Sequence, residues 1–413
     1  MKKKIIVGIG KGLDGVVSAY LLKKQGFDVH IVGVNLNKNS FELSTKDSVG
    51  NTEKKGFNLD SNCSGVDLNR IKKVGNLLGV PYSFLDKVED FNELVVEKAA
   101  CLAFSMQKKI PCFSCHKIMF LAFESVREKI GAEFISTGHY AKVQRNQSTG
   151  VTAIVTGNDI NNDQSNLLSN VPNYILERLI LPLGDLQNRE ITKIAEKNNF
   201  FDFKSSKKFD VGCFTNNSFK EFTNTFFPSS LKKDGALIRR SDGFTLCQHN
   251  GLHHFGFGEV VPSEYSTMAP GHIAVAASGS TGKVVVSPLS DHECRSILVK
   301  LNYLKKFRNY SFRLSAKAQI NGISGLKPQD GESFYDVEIY LKAGRHLRVD
   351  FITPLNCFPS PGAQVSIYEK VGEKNLMLLA AGEICFDSEM HLKETKSDDM
   401  ENQEDKTVNY VNF

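Results

Sequence analysis

The chain lacks an apolar run near its start that is long enough for a signal peptide or a membrane span, since the stretch behind the basic Met1-Lys2-Lys3-Lys4 start is only Ile5 to Ile9. The expectation is a cytoplasmic protein with no membrane partner. It also lacks a disulfide framework: nine cysteines, an odd number scattered over 413 residues, fit a reduced compartment better. A Walker A loop is absent, because that loop needs Gly-Lys followed by Ser or Thr and Lys11 is followed by Gly12. Gly10, Gly12 and Gly15 do satisfy G-x-G-x-x-G, yet the acid expected at the end of the next strand is missing. Asn35 stands there and the next acid is Glu42, which argues against a nicotinamide or flavin site. Strong charge of one sign is lacking too. The net charge is +5, and residues 387–406 hold eight acids against three lysines, leaving about +10 on the remainder by subtraction. A mildly basic body suits nucleic acid and equally suits a solvated surface.

At this length two or three domains are expected. Ile5-Ile6-Val7 reads as a buried strand, Gly8 to Gly15 as a loop, and Val16 to Gln25 as a helix closed by Gly26. A second strand at Val29 to Val34 completes a β-α-β start of a parallel sheet. Backbone N–H groups of such a loop, at a helix N-terminus, form a cradle for phosphate. Residues 36–62 read as a polar excursion, followed by helices through Leu68–Leu78 and Phe91–Leu102 and a strand at Pro81–Leu85. Pro111-Cys112-Phe113-Ser114-Cys115-His116 places two thiols at an element's edge, and Cys213 lies about a hundred residues on. Such cysteines can attack, resolve a disulfide or hold a metal, or can simply be buried small hydrophobes. Met119 to Ile130 reads as a helix, and Phe134-Ile135-Ser136 as a strand running into Gly138-His139, at the end of a strand where ligands of open α/β sheets sit. His139 alone fits a structural role as well as a catalytic one. From about Leu231 helical periodicity gives way to short strands with glycine turns, and later to alternating strands of a small barrel.

Several segments occur in one order: Ile6 to Leu22, Pro111-Cys112-x-x-Cys115, Ser136 to Ala141, Asp163-Gln164-Ser165, Leu181 to Leu186, Gly212-Cys213-Phe214, Pro359 to Gln364 and Ala380 to Ile384. That order resembles the tRNA-specific 2-thiouridylases, the MnmA family of PP-loop ATP pyrophosphatases, over nearly the whole chain to about Phe386. The resemblance implies an α/β fold, a parallel-sheet PP-loop domain of the adenine nucleotide alpha-hydrolase type over residues 1–225. Two small β domains follow, a central one at 226–290 and a C-terminal β-barrel at 291–386, then an acidic tail at 387–413 expected to be disordered. It implies a tRNA-uridine 2-sulfurtransferase that uses ATP and magnesium to adenylate the 2-oxygen of a wobble uridine. Sulfur then arrives as a persulfide from a sulfur carrier or cysteine desulfurase.

By position, Cys115 matches the cysteine that attacks or closes the disulfide, and Cys213 the one that carries the persulfide. Gly8, Gly10, Lys11, Gly12, Asp14, Gly15 and Gly138 match the ATP site, and Gln164 a uridine-pocket residue. Lys342, Arg345 and Arg348, with His346, are the candidate phosphate contacts to tRNA. Some members with Cys at position 112 have been proposed to hold a four-iron, four-sulfur cluster, here through Cys112, Cys115 and Cys213. The family loop Ser-Gly-Gly-x-Asp-Ser-Ser reads Gly10-Lys11-Gly12-Leu13-Asp14-Gly15-Val16, without its three hydroxyls. That departure opens an alternative: a diverged paralogue that binds RNA without the standard adenylation and thiolation.

Overall fold

The computed structural model describes residues 2–36, 41–46, 52–57, 66–98, 106, 112–145, 152–200, 234–304, 314–321, 334–342, 345–355, 359, 361–371, 375–385 and 391–392. The first strand, β1 (Lys4–Gly8), is built around the β-branched Ile5, Ile6 and Val7, which are fully buried. Helix α1 (Asp14–Lys24) follows it, with Asp14 in the first turn and Lys23 and Lys24 in the last, each charge complementing the helix dipole. It closes at Gly26, whose φ of 93° is one that glycine adopts without strain. Strand β2 (Asp28–Asn35) then pairs parallel to β1, as the β-α-β pattern requires.

A hairpin of β3 (Phe41–Lys46) and β4 (Thr52–Phe57) occupies much of the segment expected as an irregular excursion. Helix α2 (Leu68–Leu78) is capped by Asp67, whose side chain accepts from the Arg70 N–H at 2.8 Å, and stops at the left-handed Gly79. Strand β5 (Tyr82–Asp86) pairs parallel with β2. The helix expected around Phe91 is present as α3 (Val88–Phe91), continued by a π-helical turn at Asn92–Glu97. Helix α4 (Cys112–Ile130) begins earlier than the periodicity from Met119 suggested, so Cys112 and Cys115 lie in a helix's first turn instead of a loop. After β6 (Phe134–Ser136), the chain forms the hairpin β7 (Ala141–Arg145) and β8 (Thr152–Thr156). Helix α5 (Asn173–Leu176), β9 (Leu179–Ile180) and helix α6 (Asn188–Lys197) come next.

The parallel sheet has the order β5-β2-β1-β6-β9. From β1 the chain winds outward to β2 and β5, and β6 then returns to the other side of β1. The direction of winding therefore reverses between β1 and β6, which opens a crevice at their carboxyl ends. Alternate residues of β1 face opposite layers: Ile5 and Val7 pack with Val16, Val17 and Leu22 of α1, whereas Ile6 packs with Phe120 and Phe123 of α4.

The second half is built from strands. Strands β10 (Gly235–Arg239), β11 (Thr245–His249), β12 (His272–Ala277) and β13 (Val284–Pro288) form a four-stranded sheet in the order β11-β10-β13-β12. Strands β14 (His292–Leu304), β15 (Leu314–Asn321), β16 (Tyr335–Lys342), β17 (His346–Leu355), β18 (Gln364–Val371) and β19 (Asn375–Ile384) follow as an antiparallel set. Strand β14 pairs with β17 at one end and β19 at the other, through a register shift in each ladder, so six strands close on themselves. The barrel expected from alternation is thus present. Its closure comes from β14 and β19, which the alternation did not reveal.

Two features cross these divisions. The β7–β8 hairpin, which belongs in sequence to the first half, extends the barrel sheet beside β19 through Met377 and Val155. The Leu376 N–H also donates to the buried Thr156 Oγ1 at 3.0 Å. Within the tail expected to be disordered, His391–Leu392 forms β20, paired with His292 and Glu293 of β14. The rest of the tail lies outside the described residues.

Candidate functional site

The crevice between β1 and β6 is lined by backbone first. The loop from Gly8 to Leu13 leaves β1, with the Ile9 N–H donating to the Val32 carbonyl at 2.9 Å. Gly8 is required by packing, since a Cβ there would lie 2.4 Å from the Phe123 ring. Gly10 is different. It is exposed, and a Cβ added to it would meet nothing within 4 Å, so the loop is open on that side. Lys11 is exposed beside it and Gly12 is half-buried.

Arg70 reaches across from α2 to hold this loop. Its Nε donates to the Gly10 carbonyl at 3.0 Å and its Nη2 to the Gly12 carbonyl at 2.9 Å. No sequence pattern singled it out. Its reach depends on where α2 lands against the loop.

The segment after β6 seats against the loop. A Cβ on Gly138 would come within 2.6 Å of both the Asp14 carbonyl carbon and the Gly15 nitrogen, so only glycine permits this approach. Ser18 of α1 donates to the Thr137 carbonyl at 3.1 Å and lies 3.2 Å from Ser136 Oγ, which ties helix and strand end together. The Tyr140 hydroxyl donates to Asp14 Oδ1 at 2.9 Å. Burial and the Asp14 charge push that phenol's pKa well up, so it remains a donor.

Gln164 brackets Tyr140 on both sides: its Oε1 accepts from the Tyr140 N–H at 3.2 Å, and its own N–H donates to the Tyr140 carbonyl at 3.0 Å. Its neighbour Asp163 is half-buried, and accepts from the Gly157 N–H at 2.8 Å and from the Ser165 hydroxyl at 2.6 Å. Burial pushes the Asp163 carboxyl up to about 6, against the pull of those bonds. Ser165 Oγ in turn lies 3.0 Å from the Tyr368 hydroxyl of β18.

The thiol helix stands on the other side of Gly138-His139. The His139 and His116 rings meet edge to face at 4.9 Å, and Phe120 lies over His139 at 5.9 Å. Thr137 Oγ1 is 2.7 Å from His139 Nδ1, and His116 Nδ1 is 2.7 Å from the Cys112 carbonyl oxygen, so His116 donates there. Burial holds His116 down to about 4 and His139 well below the usual histidine range, the latter helped by His116. Both rings are neutral near pH 7. Cys112 is buried between Phe113 and Leu167, whereas Cys115 is half-exposed, and neither is part of a disulfide.

Among the expected site residues, Gly8, Gly10, Lys11, Gly12, Asp14, Gly15, Gly138 and the Cys112–Cys115 turn come together around the crevice. Gln164 lies behind it as a support for Tyr140. Cys213 lies outside the described residues. No group of three metal-ligating side chains occurs among the described residues, which do not include Cys213, the third cysteine named for a cluster. Lys342, Arg345 and Arg348 lie apart on the barrel. Lys342 and Arg348 flank Tyr340 on its outer face, Arg345 occupies the turn with a φ of 60°, and Arg348 Nε is bound to Asp350 at 2.8 Å.

A family model described as tRNA methyl transferase HUP domain matches residues 3–217. Among curated proteins, the chain is similar to the tRNA-specific 2-thiouridylase MnmA 1 of Geobacillus kaustophilus, at 31% identity over 262 residues. That match covers 62% of this chain and 64% of that relative, so it spans just under two thirds of it. It is similar to the tRNA-specific 2-thiouridylase MnmA of a Wolbachia from Brugia malayi, 30% identical with 73% of this chain and 78% of that one covered. The MnmA of Anaplasma marginale is 26% identical, with 89% and 88% covered. Among solved structures, the predicted subunit of tRNA methyltransferase from Methanocaldococcus jannaschii matches 47% of this chain and 76% of its own at 14% identity. Its TM-score is 0.26, too low to bear on function.

Proposed function

Because the chain belongs to the tRNA methyl transferase HUP domain family, and within it to the tRNA-specific 2-thiouridylases, we propose that it is an ATP-dependent tRNA-uridine 2-sulfurtransferase. One observation carries this reading. The Gly138-His139 segment touches the glycine loop on one side and the thiol helix on the other, so nucleotide and sulfur chemistry share one crevice.

ATP is a co-substrate with its phosphates at the amides of the Gly8 to Gly15 loop, where magnesium would accompany them, and the openness around Gly10 fits such an approach. The uridine 2-oxygen attacks the α-phosphorus and pyrophosphate leaves, which turns a poor leaving group into AMP. The terminal sulfur of a persulfide on Cys213, loaded by a sulfur carrier or cysteine desulfurase, bonds to C2. The Cys115 thiolate attacks the Cys213 sulfur, so the persulfide S–S bond breaks as a Cys115–Cys213 disulfide forms and AMP departs. A thiol reductant then returns both cysteines. The first turn of α4 favours the negative charge of that thiolate. His116 and His139, both neutral, add no charge of their own beside that turn.

A second reading, an RNA-binding paralogue without this activity, is favoured by Gly10, Gly15 and Val16 where the family has serines. One assay separates the two. Purified protein, ATP, magnesium, a persulfide donor and unmodified tRNA are expected to yield 2-thiouridine, detected by mass spectrometry of the digested RNA. Cys115→Ser and Cys213→Ser are each expected to abolish it without changing tRNA affinity. Tight tRNA binding with no 2-thiouridine and no pyrophosphate release establishes the second reading.

A further inference from the structure

We infer that Arg70 is a positioning residue that pre-forms the glycine loop for the phosphates of a nucleotide; this rests on the proposed nucleotide reading of the loop. The two ends of the loop are held, by the Ile9 N–H on the Val32 carbonyl and by Gly138 and Tyr140 on Asp14 and Gly15, and Arg70 grips its middle. Gly10 and Gly12 flank Lys11, and glycine loses more conformational freedom on ordering than any other residue. The cap residue Leu13 makes no side-chain hydrogen bond to the start of α1. A Cβ at Gly10 would meet nothing within 4 Å, so no packed side chain could fix the loop at that position. The two carbonyls that Arg70 grips belong to these same glycines, at 3.0 and 2.9 Å.

Peptide geometry converts that grip into an orientation. In a trans peptide the carbonyl and the N–H of the next residue point in opposite directions, and no cis peptide occurs among the described residues. Fixing the Gly10 and Gly12 carbonyls on the guanidinium therefore turns the Lys11 and Leu13 N–H groups to the opposite side of the loop. Ordering that an anion would otherwise have to impose is already in place before it binds. The Arg70 backbone is anchored at the start of α2, its N–H tied to the Asp67 cap at 2.8 Å, and its planar fork presents Nε and Nη2 to the two acceptors in a fixed geometry that an ammonium lacks. The role is that of a brace from outside the loop, where the family loop carries hydroxyls within it.

Hydrogen exchange and calorimetry on the full chain test this with Arg70→Gln and Arg70→Lys. In nucleotide-free protein, amides of residues 10–13 are expected to exchange at least about tenfold faster in both variants, while β1 and the body of α2 exchange as in the native protein. The Kd for ATP with magnesium is expected to rise about tenfold in both. Unchanged exchange in Arg70→Gln overturns the brace even where the native protein binds ATP. Arg70→Lys binding ATP as the native protein does shows that charge alone suffices, and overturns it too. Native protein that takes up no ATP overturns the nucleotide reading and this assignment with it. Those three failures are read on different measurements or different variants, so they are distinguishable.

Discussion

Gly138 and Gly10 show how little the residue type alone says about a position. Both are glycines of the crevice, yet one is wedged against backbone and the other faces open space. An added Cβ at Gly138 meets the Asp14 carbonyl carbon and Gly15 nitrogen at 2.6 Å, and backbone atoms cannot rotate away. Gly138→Ala is therefore expected to cost about 1–3 kcal/mol, the range for overpacking, and to abolish ATP uptake as the loop shifts. Gly10→Ser meets nothing and is expected to stay within about 0.5 kcal/mol of the native protein. Denaturant unfolding followed by calorimetry with ATP measures both. A Gly138→Ala variant as stable as Gly10→Ser contradicts the seating of Gly138 on the loop.

At the scale of elements, the strap from Gly157 to Val171 joins the crevice to the barrel. Asp163 lies within it, holding Gly157 and Ser165, while Ser165 meets Tyr368 and Asn166 donates to Gln319 at 3.1 Å. Burial raises the Asp163 carboxyl from 3.8 to about 6. A carboxyl that holds its proton more tightly folded than unfolded binds more protons in the native state across that window. Its contribution to stability is thus greatest at low pH and is lost as pH rises through about 6. His116, lowered to about 4, acts in the opposite sense and removes stability as pH falls below 6.5. The whole-protein curve therefore mixes the two, and a difference is needed. The stability of native protein relative to Asp163→Asn is expected to fall between pH 4 and pH 7, by roughly 3 kcal/mol at most. A gap that is constant with pH in urea titrations contradicts the buried carboxyl.

Over the whole molecule, charge decides how RNA would be held. The chain carries a net +5, and Lys342 and Arg345 are exposed on the barrel, whereas Arg348 is engaged by Asp350. Phosphate contacts release counterions, so tRNA affinity is expected to fall linearly in logarithm with salt. Lys342→Ala and Arg345→Ala are each expected to lower that slope by about 1, and Arg348→Ala by less. Fluorescence anisotropy across a salt series measures it. An affinity for tRNA that salt does not change removes the barrel cations from the interface.

The local elements were written in the chain. Ile5-Ile6-Val7, the glycine loop, the helix closed by Gly26 and the alternating strands β15 to β18 all follow from patterns contained in short windows, because dihedral preference, capping and the side-chain period act between near neighbours. The order of motifs likewise implied the family that the comparisons show. Only the tertiary structure put Arg70 on the Gly10 and Gly12 carbonyls, His139 against His116, and Tyr368 beside Ser165. It alone joined the β7–β8 hairpin to β19 and closed the barrel through β14. Those contacts link residues from 23 to more than 200 positions apart, and their partners are chosen by where whole layers pack. A hydrogen bond across such a distance depends on the path of the chain between its two ends, and no window of neighbouring residues contains that path.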